Sequence, residues 1–285
     1  MKKNRLPLLL TALPIICAGT TLTAQVAENS AININVTELG YTVKQGQVIS
    51  EAGAVVERVL DVLADKFTKE EPGYSDAVRA SVIKALGDVR RFRVNDGYSA
   101  IPDGLPSINL DGVINYISVT GERRRDGDKE RKLPEYYAQI GVTLNLKDPF
   151  TGELLGSEVF EVNKNSWTLW KTQDSAIRKA LEKLRTVITK YYNSAYPYTA
   201  GIIERSGDNK LYLDLGSVHG LRKGTHFSVY GLGSIGGKQT RNEIGRLKVK
   251  RIEGDEISLC NIISGAQAIR NALDSGTELL IVSTD

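Results

Sequence analysis

The sequence is poor in the residues that build disulfides and metal sites. Its 285 residues include two cysteines and two histidines. Cys17 lies in an expected leader peptide, so the mature chain would keep Cys260 alone, as a small buried hydrophobe without an internal disulfide. His219 and His226 lie seven residues apart with no cysteine or further histidine beside them. This spacing favours a turn residue and a strand-surface residue, and we expect no metal and no cofactor.

The sequence also lacks long apolar runs beyond its first residues. No later stretch approaches the ~20 consecutive apolar residues of a membrane-spanning helix. Residues 1–24 combine a basic start, a short apolar run and a small-residue ending at Leu22-Thr23-Ala24. This is the pattern of a cleaved signal peptide, with cleavage after Ala24 or Ala27. We therefore expect export, to the periplasm or the periphery of the outer membrane.

Lipidation is an alternative fate of the leader, with Cys17 as the acylated residue. The preceding Pro14-Ile15-Ile16 lacks the small residue that lipoprotein processing needs directly before the cysteine. Plain cleavage is therefore favoured, and lipidation at Cys17 stays open.

Neither sign of charge dominates the sequence. The full chain has 37 basic and 34 acidic residues, a formal net charge of +3. Because the leader carries Lys2, Lys3 and Arg5 and no acidic residue, the mature chain is formally neutral. Overall charge therefore gives no argument for a nucleic-acid partner. Export also removes the protein from ATP and NAD, which disfavours the functions that depend on them.

Residues 25–195 have the periodicities of an α+β domain, with helices covering one face of an antiparallel-rich sheet. The predicted strands are Ile32–Val36, Phe92–Val94, Val113–Thr120, Ala138–Lys147 and Glu158–Val162. The predicted helices run from near Ser50 to Phe67, over Val78–Val89 with Ser75 or Asp76 as N-cap, and from Thr172 or Asp174 to a stop at Pro197. Residues 95–110 are expected to form a loop, and Asp148–Gly152 a turn.

Residues 200–285 are expected to form a small all-β, barrel-like domain. Short strands follow one another with glycine at almost every connection, which is typical of a small barrel. The predicted strands are Gly201–Arg205, Leu211–Leu215, Thr225–Tyr230, Gly245–Ile252, Ile257–Ile263 and Leu279–Val282, with a helix at Ala266–Leu273.

The catalytic and phosphate-binding motifs are weak. Gly231–Gly236 fits G-x-G-x-x-G, but that motif needs a following helix to receive a pyrophosphate, and here a second strand is expected. The segment is better explained as a hairpin. There is no G-x-S-x-G elbow, and Asp148 and Glu153 are better explained by turn chemistry than by acid–base catalysis. We expect that the protein is not an enzyme.

Three groups of residues are candidate partner contacts. The first is a charged hairpin tip at residues 122–132, for which a solvated loop is the plainer explanation. The second is a tryptophan pair before the last helix of the α+β domain, expected to cap the sheet edge. The third is a row of cations on one strand face, either an exposed barrel face or an anionic docking patch. The residues are Arg123, Arg124 and Arg125; Trp167 and Trp170; and Arg246, Lys248 and Lys250. Tyr191, Tyr192, Tyr196 and Tyr198 are expected to pack at the domain boundary.

Residues 31–194 resemble the periplasmic domain of the curli production assembly/transport family. The resemblance depends most on Ile140–Gly156, which is similar to that family's paired strands around a D-x-x-T-G-E turn, and on the helix around Ala176-Ile177. Residues 200–264 resemble the C-terminal domain of flagellar assembly protein T through Leu213–Tyr230 and Ile244–Val249. Both families are non-enzymatic parts of envelope machines, one a ring-forming channel and the other a ring around the flagellar motor.

The resemblance implies an exported, non-catalytic envelope scaffold or assembly factor that acts through protein–protein contacts. Its partners would be envelope proteins, including further copies of itself, with membrane association peripheral. One alternative is an oligomeric outer-membrane secretion-channel subunit, although the leader is a poor lipoprotein signal and the charged 122–132 tip is unsuited to lipid. The other alternative is a periplasmic small-ligand binder or enzyme.

Overall fold

A computed structural model describes residues 29–41, 66–70, 72–96, 106–123, 133–163 and 169–284. The expected leader and Arg124, Arg125 and Trp167 lie outside these ranges. Within them, the predicted α+β fold class is confirmed. The described chain forms a mixed sheet with helices on one face, followed by a barrel-like sheet.

The first sheet, sheet A, and its helices span residues 32–195. In chain order the elements are β1 Ile32–Tyr41, β2 Lys66–Glu70, α1 Ser75–Gly87, β3 Phe92–Asp96, β4 Ser107–Glu122, β5 Glu135–Lys147, β6 Leu154–Val162 and α2 Gln173–Ala195. The strand order is β3-β1-β4-β5-β6, and β2 pairs with the end of β4 beyond β1. β1 runs parallel to β3 and β4, while β4, β5 and β6 form antiparallel hairpins.

Helices α1 and α2 pack on the face of sheet A that carries its apolar residues. Over Ile32–Val36 in β1 and Ala138–Leu146 in β5, every second side chain is apolar and buried, as the alternating pattern predicts. In α1 and α2 the buried residues recur every three or four positions. Thr172 is the N-cap of α2, and its hydroxyl accepts the N–H of Ser175 at 3.2 Å. None of the described helices combines the length and the apolar character needed to cross a membrane.

The opposite face of sheet A carries rows of hydrogen-bonded polar side chains. Asn95 donates to Asn35, which donates to Asn109, each over 3.2 Å. Further along the sheet, Asn145 donates to Asp111 over 2.8 Å and accepts from Ser157 over 2.7 Å. These polar rows join neighbouring strands on the face that turns away from the helices.

Three sequence-based predictions about sheet A were wrong. Phe67 lies in strand β2, paired with Gly121, because pairing with a distant strand outweighs the helical spacing of its neighbours. The remaining residues of that predicted helix, 50–65, lie outside the described ranges. Tyr74 precedes α1 without a side-chain cap, so neither Ser75 nor Asp76 is the N-cap. Residues 95–96 belong to β3 and residues 107–110 to β4, since pairing with neighbouring strands extends both strands into the predicted loop.

The second sheet, sheet B, confirms the predicted strands and adds one. Its elements are β7 Thr199–Ala200, β8 Ile202–Arg205, β9 Lys210–Leu213, β10 His226–Ile235, β11 Lys238–Ile252, β12 Ser258–Ser264, helix α3 Ala266–Asp274 and β13 Leu279–Ser283. The strand order is β7-β13-β10-β11-β12-β9-β8. Because β7 and β8 stand at opposite ends of this order yet are separated only by Gly201, the sheet curls into a nearly closed barrel.

Each sheet has its own hydrophobic core, and the two cores share no residue. The members of the first lie between Ile32 and Tyr192, and those of the second between Tyr198 and Ile281. The change from one core to the other falls at the predicted boundary around residues 195–200. The division of the chain into two domains at this boundary stays a prediction.

Tyr198 joins the two parts of the chain. Its buried hydroxyl lies 3.0 Å from the carbonyl oxygen of Arg90, just after α1, and 2.8 Å from that of His219 in the barrel. Burial raises the pKa of Tyr198 to about 12, against the opposing effect of the nearby Arg91. Before it, the rings of Tyr191, Tyr192 and Tyr196 pack against one another and against Phe92 and Phe160. Three of the four tyrosines expected to pack at the boundary, Tyr191, Tyr192 and Tyr196, thus pack within the first core, and Tyr198 belongs to the second core.

Candidate interaction surfaces

The charged hairpin tip is described only at its base. Glu122 ends β4 opposite Glu135, which begins β5, so the two strands form the predicted hairpin. Arg123 is half-buried directly after β4. Because Arg124 and Arg125 lie outside the described residues, the contact role of this tip stays a prediction.

Trp170 extends the edge of sheet A. Its backbone exchanges two hydrogen bonds with Tyr136, at 2.7 and 2.8 Å, on the same side of β5 as β6 but at the end of β5 beyond the β6 pairing. The indole ring is half-buried against the first core, and the Lys179 ammonium lies 5.7 Å from the ring centroid. Trp170 therefore lies at the sheet edge as expected, and its contact with a partner stays a prediction.

The row of cations is confirmed as an exposed strand face. Arg246, Lys248 and Lys250 in β11 are exposed and alternate with the buried Leu247 and Val249. This face belongs to sheet B, whereas Trp170 and Arg123 belong to sheet A. The structure thus places the predicted contacts on separate surfaces.

The structure reveals a surface that the sequence analysis missed, the outer edge of β6. Among the described strands, β6 has a neighbour on one side only, β5. Leu154 and Val159 on this strand are 53% and 60% exposed, and Phe150 in the preceding turn is 88% exposed. One signal was available, because the last element predicted for the α+β domain after β6 is a helix, which leaves no later strand within that domain to pair with β6.

The polar turn beside this edge is held by Asp148. Its carboxylate accepts the backbone N–H groups of Thr151 at 2.7 Å and Phe150 at 2.8 Å. These bonds lower the pKa of the Asp148 carboxyl. Glu153 closes the turn by accepting, at its carbonyl, the N–H of Asp148. Turn chemistry therefore accounts for the Asp148 side chain, as predicted, whereas Glu153 contributes only its backbone to the turn.

The histidines and the glycine-rich motif lie in ordinary structural positions. His219 ends a short 3₁₀ turn, where its Nδ1 accepts the N–H of Gly216 at 3.1 Å. His226 begins strand β10. Gly231–Gly236 continues β10 into a tight turn and then β11, as a hairpin rather than a phosphate loop. Within the described ranges, no group of three or more His, Cys, Asp or Glu side chains is arranged to hold a metal ion.

An open groove of about 520 Å³ lies between the end of α1 and α2. Its charged lining residues Asp88 and Arg185 form an ion pair with each other. Thr189 donates to the carbonyl of Ala85 at 2.9 Å, and Asn193 accepts the N–H of Arg90 at 3.1 Å. Much of the groove's polar lining is thus used to join the two helices.

Cys260 is fully buried in the second core. Burial raises the pKa of its thiol to about 12. We therefore predict that a maleimide fails to label Cys260 in the folded mature protein at mildly alkaline pH and labels it rapidly in denaturant, as followed by mass spectrometry. Rapid labelling without denaturant would contradict the predicted burial.

The Cys260 thiol also makes stability depend on pH. Its pKa is raised in the folded state, so the thiol of the unfolded chain ionises first as pH rises. The contribution of this thiol to the free energy of unfolding is therefore lost at alkaline pH.

Comparisons with known proteins reveal only distant structural likenesses. No protein-family model matches the sequence, and no curated protein is significantly similar to it. A DUF330-family protein from Xanthomonas campestris is 16% identical, with a TM-score of 0.30, over 59% of this chain and 87% of that one. A putative neuraminyllactose-binding hemagglutinin homolog from Helicobacter pylori is 17% identical, with a TM-score of 0.30, over 60% and 90%. The dodecameric PelC of Paraburkholderia phytofirmans is 13% identical, with a TM-score of 0.29, over 57% and 89%. At these scores the likenesses carry no argument about function.

Proposed function

We propose that the protein is an exported, non-catalytic scaffold or assembly factor of the cell envelope, which binds other proteins through the free edge of β6. The observation that carries the proposal is the exposure of apolar side chains along an edge strand. Natural edge strands are usually protected by lysine, proline or a covering element, because an open edge accepts a further strand. β6 is nine residues long and contains neither lysine nor proline.

The charge of this edge favours a basic partner strand. β6 carries Glu158 and Glu161, and Glu153 directly precedes it. Pairing of two β6 strands would bring these like charges together, which destabilises strand pairs. The opposite end of sheet A is β3, an edge strand with an exposed Arg93. A second copy can therefore place Arg93 beside the acidic edge of β6, while Asp96 of β3 is paired with Arg79. Repetition of this contact builds a head-to-tail assembly.

Two further features support this function. The first is the expectation from the sequence motifs, by which residues 31–194 and 200–264 resemble two families of non-enzymatic envelope-machine components. In addition, Tyr137–Lys147, the segment with the length of a membrane strand, uses its apolar side chains in the protein core. Ile140, Val142 and Leu144 are fully buried against the helices. This burial favours the scaffold over the channel alternative.

A charge swap tests the proposed contact. Arg93→Glu and Glu161→Arg should each weaken self-association about tenfold, because each places like charges across the pairing. The double variant should regain the assembly. The measurement is native mass spectrometry of the protein purified from envelope fractions, and Arg178→Glu, an exposed residue of α2, is the matched control.

Two results would contradict this function. The first is a wild-type protein that is monomeric and copurifies with no other protein in stoichiometric amount. The second is an assembly whose mass is unchanged in both single variants. A ring that forms only in detergent and conducts ions in bilayers would instead support the channel subunit.

A further inference from the structure

Positive charge is concentrated on one strand of the barrel. Six of the fifteen residues of β11 are basic, and Glu243 is its one acidic residue. The mature chain as a whole is expected to be formally neutral, so the positive charge of β11 is a local excess rather than a property of the whole protein. A local excess of one charge on the outer face of a sheet marks a surface that attracts the opposite charge.

The arginines of β11 are already engaged within the protein. Arg246 Nε donates to Glu243 at 2.6 Å, and Arg251 pairs with Glu253. The guanidinium of Arg241 lies 5.6 Å from the centre of the Tyr230 ring. Each of these three arginines thus lies against a neighbouring side chain of the protein. The remaining cations of β11 are lysines.

Two lysines from other elements join those of β11. Lys248 lies opposite Asn261 of β12, and Asn261 lies opposite Lys210 of β9. Since neighbouring strands are spaced by about 4.8 Å, the backbones of Lys248 and Lys210 are about 10 Å apart. Lys223 lies in the turn before β10. The next residue, Gly224, donates its N–H to the carbonyl of Val249 in β11 at 2.9 Å, which holds this turn beside β11.

These four residues, Lys210, Lys223, Lys248 and Lys250, define a surface that we call the lysine face. Lys223, Lys248 and Lys250 are exposed, and Lys210 is half-buried. Across the described ranges, none of the four forms an ion pair with a carboxylate. The lysine face therefore carries positive charge that the described chain does not neutralise.

We propose that the lysine face binds the phosphate headgroups of an anionic lipid surface. Lysine ammonium groups are compact, non-directional charges on flexible stems, and each contributes to attraction by a negatively charged leaflet. A specific protein carboxylate is more often held by the paired donors of an arginine, and the arginines here are engaged. A cluster of exposed lysines on the outside of the barrel therefore matches the many phosphates of a lipid surface better than it matches individual carboxylates. This activity goes beyond the proposed scaffold function, because it uses sheet B and leaves the β6 edge free.

Vesicle binding tests the lysine face. The full mature protein, with its processed N-terminus verified by mass, is sedimented with vesicles of phosphatidylcholine alone or mixed with phosphatidylglycerol. We expect binding to the mixed vesicles only, weakened by added salt. Lys248→Gln with Lys250→Gln should reduce the partition coefficient about thirtyfold, the effect of removing two lysines near an anionic surface. Lys248→Arg with Lys250→Arg should keep it.

The matched control removes the same charge elsewhere. Lys183→Gln with Lys190→Gln changes two exposed lysines of α2 and should leave vesicle binding unchanged. Circular dichroism of each variant checks that the fold is kept.

Competition distinguishes the sources of negative charge. Inorganic phosphate at millimolar concentration should not displace the protein from mixed vesicles, whereas displacement would assign the face to free phosphate. Tighter binding to polyglutamate than to mixed vesicles would assign it to an acidic protein. Equal binding to both kinds of vesicle, or an equal loss in the α2 control, would overturn the proposal. None of these results depends on the assembly state that tests the β6 contact.

Discussion

Replacing Phe227 with alanine should lower the free energy of unfolding by about 3–5 kcal/mol. Phe227 lies in β10 at the centre of the barrel-like sheet and is 0% exposed. Removing its ring leaves a cavity that surrounding strands cannot fill without breaking their pairing with β11 and β13. A loss of this size is a large part of the stability of a typical domain, about 5–15 kcal/mol.

Guanidinium denaturation followed by circular dichroism measures this effect. Phe150→Ala is the matched control, because the same substitution at an exposed position should change stability by less than about 0.5 kcal/mol. If the two cores unfold separately, the Phe227 substitution shifts only the transition of sheet B. Equal losses from both substitutions would show that Phe227 does not lie in a packed core.

Gly265→Ala should destabilise the barrel by about 3 kcal/mol or more. Gly265 connects β12 to α3 with a φ of 77°, a conformation that side chains rarely adopt. A Cβ atom there would lie 1.9 Å from the carbonyl oxygen of Ile244 and 2.6 Å from the Cα of Gly245. Both of these are backbone atoms of β11. To relieve the clash with the new Cβ atom, α3 and its buried Ile269 would have to move away from the core.

The control for this glycine is Gly254, which lies in the turn between β11 and β12. A Cβ atom at Gly254 meets nothing within 4 Å, so Gly254→Ala should change stability by no more than about 0.5 kcal/mol. Thermal unfolding of the two variants compares them directly. A Gly265→Ala protein that melts together with the wild type would show that α3 does not pack closely on β11.

Periodic patterns within single elements were read correctly from the sequence. The alternation in Ala138–Lys147 and in Arg246–Lys250 predicted which side chains are buried and which are exposed. The spacing and the Thr172 cap predicted α2. These features depend on a few neighbouring residues, because the pleat of a strand and the turn of a helix repeat at a fixed period.

Features that depend on distant partners were not predicted. Phe67 has the spacing of a helix residue, but it pairs with Gly121 in a strand. The exposed edge of β6 is a property of the sheet order, and a strand has the same alternation at an edge as at the centre. Lys210 and Lys223 join Lys248 only because β12 and the turn before β10 bring them beside β11.

The sequence by itself determined the type of most elements, their buried faces, the change of architecture near residue 200 and the exposed row of cations. Tertiary structure alone decided the order of the strands, and with it which edge is open and which lysines share a surface. The physical reason is that side-chain alternation depends on backbone geometry within one strand. Strand order depends instead on the free energy of pairing and packing between segments far apart in the chain.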